Sequence, residues 1–377
     1  MQKKKTMDEK RPDYFLILNI FALILIGIIM VFSASPTMGL KAGDPYLYFK
    51  RHIFYVVLGI IAFNFALRTN FEKLKKNAPI ILIISLLLLL LPFVPGFGLR
   101  ISGAKRWIHI ASFSFQPSEF TKLALIIFLS TTLPKIKKIL PYFFVGVLPI
   151  LGLFGFIFAV LLKQPDLGTA LVVSSITFSL LFIAGMQIKH LLGLLICGIL
   201  GVGVLSFTST YRLRRIMAFI DPWKDPLNVG FHIIQSLLAV GSGGLFGLGL
   251  GNSRQKLFYL PQQYTDFIFA ILCEEMGYIG GAVVIFLFAI FVIRSLRLAK
   301  FIQDDFSRLM VVGITTWVGM QAFMNMAVVT SLIPTTGIPL PFISYGGTSF
   351  VITLYACGLL IKASRHGRLS TKDAKIT

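Results

Sequence analysis

Long apolar runs recur from Tyr14 to Ile361 with only short polar stretches between most of them, and that pattern leaves no place for a soluble domain. About 20 apolar residues in helical form span the ~30 Å hydrocarbon core of a bilayer. A helix also satisfies its own backbone N–H and C=O groups, which water cannot do in lipid. The sequence therefore reads as an all-α integral membrane protein with about ten transmembrane helices. The spans fall at roughly 14–34, 52–67, 78–94, 118–133, 140–162, 167–186, 190–207, 266–293, 309–332 and 342–362. Composition agrees: charged residues make up 14% of the 377 residues and hydrophobic ones 56%, against ~25% charged in soluble domains. The first run is too long for the core of a secretory signal and is expected to stay as the first helix.

The chain divides into a polar, basic tail at 1–13, a polytopic membrane domain at 14–362 and a short basic tail at 363–377. The fifth and sixth spans are separated only by Lys163-Gln164-Pro165-Asp166, which reads as a turn, because proline and its predecessor resist helix. The net charge of +21 suggests nucleic acid at first sight. The basic residues, however, are spread in short clusters between apolar runs, so a membrane is the expected partner and nucleic acid is not. One alternating set of segments carries them: Lys3, Lys4, Lys5, Lys10 and Arg11; then Arg68, Lys73, Lys75 and Lys76; then Lys135, Lys137 and Lys138; then Lys189; then Arg294, Arg297, Lys300 and Arg308. The positive-inside rule places these segments and both termini in the cytoplasm. An even number of spans requires the same.

A loop of about 58 residues at 208–265 separates the seventh and eighth spans, and loops of that length are usually functional. It holds Arg212, Arg214, Arg215, Lys224, Arg254 and Lys256, an amphipathic or re-entrant helix expected at 229–240, and a glycine-rich run at 241–251. Glycine at that density permits tight turns and close approach to a ligand.

Ionisable residues in spans, or at their outer ends, are costly in lipid and are candidates for function. Glu119 and Lys122 lie three apart and share a helix face, as an ion pair entering the bilayer or as a substrate contact. Lys163 can meet a phosphate as a point charge; Asp166 can do chemistry or cap the sixth span. Asp266 opens the eighth span directly after the long loop. A partly desolvated carboxylate there has a raised pKa and suits a general base, although an N-cap role fits it equally. Glu274 and Glu275 lie about 12 Å further in at the helical rise of ~1.5 Å per residue; Glu275, nine residues on, points the other way from Asp266 and is expected to hold neighbouring helices together. The loop at 98–117 carries Arg100, Lys105, Arg106, Trp107 and His109, and an Arg–Trp pair there is suited either to a pyrophosphate and a sugar or to anchoring at the interface. The cysteines Cys197, Cys273 and Cys357 are far apart, lie in apolar runs and lack metal-ligand spacing. Together these residues describe an outward-facing site for an anionic, lipid-linked substrate.

Several stretches taken in order carry a resemblance. Gly103-Ala104-Lys105-Arg106-Trp107-Ile108 precedes Gln116-Pro117-Ser118-Glu119-Phe120-Thr121-Lys122. Gln164-Pro165-Asp166-Leu167-Gly168-Thr169-Ala170 follows, then Gly247-Leu248-Gly249-Leu250-Gly251-Asn252-Ser253 with Thr265-Asp266-Phe267, and then Pro339-Leu340-Pro341-Phe342-Ile343-Ser344-Tyr345-Gly346-Gly347. Their order and chemistry resemble the SEDS family of cell-wall glycosyltransferases (FtsW, RodA and SpoVE), and the segment 249–256 is most similar to the FtsW branch.

The resemblance implies a peptidoglycan glycosyltransferase that polymerises lipid II on the outer face of the bacterial cytoplasmic membrane, during division or shape maintenance. It implies Asp266 as the catalytic carboxylate. Trp107, Glu119, Lys122, Lys163 and Asp166 match its other functional positions. Lys105, Arg106, Arg212, Arg215, Lys256 and Ser344 complete the expected substrate-binding set. A divalent cation, Mg or Mn, is compatible with the family. The implied partners are lipid II, a class B penicillin-binding protein and other proteins of the division or elongation machinery. Two departures stand out: Phe258 replaces an acidic residue found in some division-type members, and Gln262-Gln263-Tyr264 replaces the commoner Glu-x-His. A lipid II flippase is the main rival function and a non-catalytic scaffold the other.

Overall fold

A computed structural model of the chain describes residues 12–101, 104–110, 113–207, 210–228, 230–257 and 260–365. Helices α1 (Tyr14–Ala34), α2 (Pro36–Lys41), α3 (Leu47–Arg68) and α4 (Phe71–Leu90) come first. A small antiparallel sheet of β1 (Gly98–Ile101), β2 (Ala104–Ile110) and β3 (Phe113–Phe115) follows, in that spatial order. Next are α5 (Pro117–Thr132), α6 (Leu148–Lys163), α7 (Leu167–Ala184), α8 (Ile188–Phe207), α9 (Thr210–Ile220) and α10 (Phe231–Ser242). The chain ends with α11 (Ile268–Phe301), α12 (Asp305–Val329) and α13 (Gly347–Ser364).

Among the described residues, eight helices are long and apolar enough to cross a membrane. α5, with 16 residues, and α8 stand where the fourth and seventh spans were expected. Local chemistry sets the helix starts. The side chains of Asp13, Asn70, Asp166 and Asp304 accept backbone N–H groups in the first turns of α1, α4, α7 and α12, as N-caps do. Helices in lipid associate by close packing rather than by expelling water, so small residues mark their contacts. A Cβ on Gly358 of α13 would fall 2.6 Å from the Phe63 carbonyl oxygen of α3, so only glycine lets these two backbones approach.

The bundle has chemically distinct ends. At one, Arg294 pairs with Asp13 at 2.9 Å, Lys75 approaches Asp304 at 3.6 Å, and the Lys362 amine lies over the Phe71 ring. Those contacts gather the basic segments of the sequence. At the other end, the Gln263 amide donates to the Ala34 carbonyl and the Thr37 hydroxyl, which seats the residues around Asp266.

One expectation changes here. Within the stretch read as a loop, residues 98–101, 104–110 and 113–115 are paired strands, with Leu99 opposite Trp107 and His109 opposite Ser114. Part of the glycine-rich run approaches α11 closely. α11 breaks at Gly277, which has φ 69° and ψ −169°. Leu248 and Gly249 donate their N–H groups to the Glu274 and Glu275 carbonyls, both at 3.0 Å, while Tyr278 and Ile279 donate to Gly244 and Leu245 at 2.8 and 3.2 Å. The run thus pairs backbone groups that the break would leave unsatisfied. Gly247 has φ +82°, and a Cβ on it would lie 2.1 Å from the Glu275 carbonyl oxygen. Gly247→Ala is therefore expected to lower stability by about 1–3 kcal/mol, read as a lower melting temperature in detergent; an unchanged one would mean that the run does not pack on the break.

Candidate active site

Asp266 sits two residues ahead of α11, in the turn that closes the long loop. Three segments reach it. The first is the 333–346 stretch, where a Cβ on Gly337 would lie 3.5 Å from the Asp266 Oδ2. The second is α9, whose Arg215 donates to the Thr335 carbonyl at 2.7 Å. The third is the turn between α6 and α7 with the strand β2 laid across it. Arg106 of β2 donates through Nε to the Gln164 carbonyl at 3.0 Å, and through a second nitrogen to the Pro165 carbonyl, and it lies 3.5 Å from the Asp166 carboxylate. Alternation along a strand puts Arg106 on the face shared with buried Ile108 and turns Lys105 and Trp107 to the other face.

The electrostatics of Asp266 follow from these neighbours. It keeps part of its surface open, yet protein surrounds it closely. Withdrawal from water raises its pKa to about 6; Arg106 and Arg215 oppose the rise and Asp166 adds to it. Such a carboxylate is a base near neutral pH that accepts a proton readily. Asp166 is 1% exposed; its Oδ1 caps α7 through the Thr169 N–H at 3.2 Å, while its Oδ2 has no hydrogen-bond partner. Capping and a place in the charged cluster are thus compatible at this residue.

The remaining candidates divide. Lys163 is exposed beside the same turn, and Lys105 is exposed on β2. The Arg212 side chain and Phe258 lie outside the described residues. Glu119 and Lys122 are 2% and 1% exposed and face each other inside the bundle at 2.8 Å. Lys256 pairs with Glu275 at 2.8 Å and donates to Ser33, which places it in the packing between the long loop, α1 and α11. Glu274 accepts the Arg254 N–H at 2.8 Å and the Ser253 hydroxyl, which ties the long loop to α11, while Glu275 accepts the Ser33 hydroxyl of α1 and so joins two helices. The Ser344 hydroxyl donates to the Thr265 carbonyl at 2.6 Å and accepts the Leu340 N–H at 2.8 Å, bracing the turn beside Asp266.

At this end one residue departs from the commoner pattern and two buried amides carry no charge to mark them in the sequence. Tyr264, where the commoner pattern has histidine, packs against Tyr48 and Tyr345 with ring centroids 4.8 and 5.6 Å apart. Gln321 and Asn325 of α12 are each 1% exposed. Uncharged amides in an apolar run are also costly in lipid, and that cost was the available signal.

Among the described residues no three His, Cys, Asp or Glu side chains are grouped to hold a metal ion. Asp166, whose Oδ2 has no hydrogen-bond partner, and Asp266, which senses its charge, make a smaller donor set. Two carboxylates suit a magnesium ion that takes its other ligands from water and substrate phosphates.

Comparison with known proteins agrees with this architecture. Residues 14–369 match the family model FTSW_RODA_SPOVE, described as a cell cycle protein. The chain is 44% identical over 358 residues to the "Probable peptidoglycan glycosyltransferase FtsW" of Geobacter sp. (strain M18), covering 94% of this chain and 98% of that one. It is 42% identical over 369 residues to the stage V sporulation protein E of Bacillus subtilis (strain 168), covering 98% of this chain and 100% of that one. Among solved structures it matches a chain of a peptidoglycan synthase complex in which polymerization and crosslinking are coordinated, with TM-score 0.79, 30% identity and coverage of 95% and 99%. It also matches the rod shape determining protein RodA of Thermus thermophilus, with TM-score 0.66, 28% identity and coverage of 94% and 97%. The chain belongs to the FtsW/RodA/SpoVE family of multi-pass membrane proteins.

Proposed function

We infer that the chain is a peptidoglycan glycosyltransferase that polymerises lipid II, working at the outer face of the bacterial cytoplasmic membrane with both termini inside. The observation that carries this reading is the Asp266 carboxylate, raised to about 6 and facing Arg106 and Arg215, at the end of the bundle opposite the basic segments. The names of its relatives support the chemistry and do not favour a flippase.

In the mechanism, Asp266 accepts the proton of the acceptor sugar 4-hydroxyl. The freed oxygen forms a bond to the anomeric carbon of the donor, the bond from that carbon to the pyrophosphate oxygen breaks, and undecaprenyl pyrophosphate leaves. A single displacement of this kind inverts the anomeric centre. Arg106 and Arg215 stabilise the charge that develops on the leaving group; fixed donors aimed at such charge are usually the largest contribution to catalysis. Lys163, exposed beside the same turn, attracts the pyrophosphate of the lipid-linked substrate at the membrane surface. A divalent cation, where bound, would be held by Asp166 and Asp266 and would add neutralising charge to the phosphates. A class B penicillin-binding protein is the expected partner, by analogy with the synthase complex that the fold matches.

Purified chain, with and without a class B transpeptidase, is given fluorescent lipid II and Mg or Mn. A ladder of glycan strands on a gel is the expected result. Movement of lipid II across vesicle membranes with no ladder under any condition would overturn the reading in favour of transport.

A further inference from the structure

We propose that Gln321 and Asn325 are positioning residues that tie the backbone of Asp266 to the buried Glu119–Lys122 pair. The inference rests on Asp266 as the base and goes beyond it, because neither amide touches the reacting atoms.

The two residues are four apart on α12, on one face with Trp317, which lies four residues before Gln321. Their amide orientations are determined by their neighbours. Gln321 Oε1 accepts the Lys122 amine at 2.8 Å and the Trp317 indole N–H at 2.9 Å. Both are donors, so this atom is the oxygen and the other is the NH₂. That NH₂ donates to the Pro339 carbonyl at 3.1 Å. Asn325 Nδ2 donates both its hydrogens to carbonyls, those of Asp266 and Ile338, each at 2.7 Å.

A continuous path results. Ser349 of α13 donates to Glu119 at 3.0 Å, Glu119 pairs with Lys122, and Lys122 donates to Gln321. Gln321 holds residue 339, and Asn325 joins residue 338 to residue 266. The neighbouring carbonyls are fixed in the same way, Thr265 by Ser344 and Tyr264 by the Tyr345 N–H at 3.0 Å. Three successive carbonyls leading into the base are therefore held by residues distant in sequence, from α12 and from the segment before α13. Charge-assisted bonds are the stronger and more directional kind, and the path starts from one. The account also gives Glu119 and Lys122 a part in function that does not require them to meet substrate.

The test is steady-state polymerisation of lipid II by the full chain in detergent, with its transpeptidase if one is needed. Asn325→Ala removes both bonds to residues 266 and 338. Gln321→Glu keeps acceptors for Lys122 and Trp317 but sets an oxygen against the Pro339 carbonyl. Because a misplacement of ~1 Å costs about a hundredfold in rate, kcat is expected to fall about a hundredfold in Asn325→Ala and about tenfold in Gln321→Glu. KM should stay within about twofold, since the substrate contacts remain. Melting curves report the folded fraction to which each kcat is referred. Wild-type kcat in both folded variants, or a loss confined to KM, would overturn the proposal. Asp266→Asn is assayed alongside. If it is inactive while both amide variants run at the wild-type rate, only the positioning role falls. If it polymerises normally, the base assignment falls and the positioning role with it.

Discussion

Asp266→Asn is expected to lower the rate of glycan polymerisation by about 10²–10⁴-fold, the usual contribution of a general base, without lowering the melting temperature. The asparagine has the shape of aspartate and keeps the backbone carbonyl that Asn325 binds, so the fold loses nothing that the structure shows. Stability should even rise at neutral pH. The ordinary pKa of 3.8 is raised to about 6 in the fold, chiefly by removal from water. Between those values the folded chain binds more protons than the unfolded one, so stability falls as pH rises through that window. Above it the charged carboxylate carries its full desolvation penalty, which asparagine removes. Activity has the opposite dependence. The base is competent only when ionised, so wild-type kcat should climb as pH rises through about 6. A variant that polymerises normally, or a wild-type profile flat across that range, would remove Asp266 from the role. A variant that is inactive and also unfolded would show that the carboxylate is structural.

Much of this architecture is legible in the sequence, and the reasons are local. Apolar runs locate the helices because hydropathy accumulates along a span, and the Pro165 turn with its Asp166 cap is set by backbone sterics and one side chain. The amphipathic helix expected at 229–240 appears as α10, Phe231–Ser242, and packs through a hydrogen bond from Ser236 to the Val329 carbonyl. What sequence could not decide is where partners come from. Lys256 reads as a free cation on a long loop, yet its amine pairs with Glu275 in the following helix. The sheet was missed because β1 and β3 have four and three residues, too few for alternation to show. The break at Gly277 has no proline to announce it and exists because the glycine-rich run supplies bonds to its exposed backbone groups. Gln321 and Asn325 are uncharged, so a search for ionisable residues in spans passes them by.

The buried pair of α5 carries the second large prediction. Glu119 and Lys122 have side chains 3% and 1% exposed, the amine lies 4.7 Å from the Trp317 ring centroid, Ser349 donates to Glu119 and Lys122 donates to Gln321. Removing one partner leaves the other charge without a counter-ion where water does not reach. Such a loss costs about 3–5 kcal/mol, so Glu119→Gln and Lys122→Met should each lower the melting temperature sharply. Removing both charges together should cost much less than the sum, because apolar or neutral groups of similar volume are often tolerated in place of a buried ion pair. The double variant Glu119→Gln/Lys122→Met should therefore melt closer to wild type than either single variant does. Equal losses in all three would mean that the pair contributes packing volume and not charge pairing. Function should separate from stability in the double variant. Gln321 loses its charged donor there and its amide is less constrained, so the hold on residue 339 loosens and polymerisation should stay slow although the fold has recovered. Exposed Lys163 is the contrast: Lys163→Ala should change stability by no more than about 0.5 kcal/mol. A cation seated against Glu119, Gln321 and Trp317 stabilises the bundle and orients what lies above it; a cation at the mouth of the α6–α7 turn can only attract a phosphate group at the membrane surface.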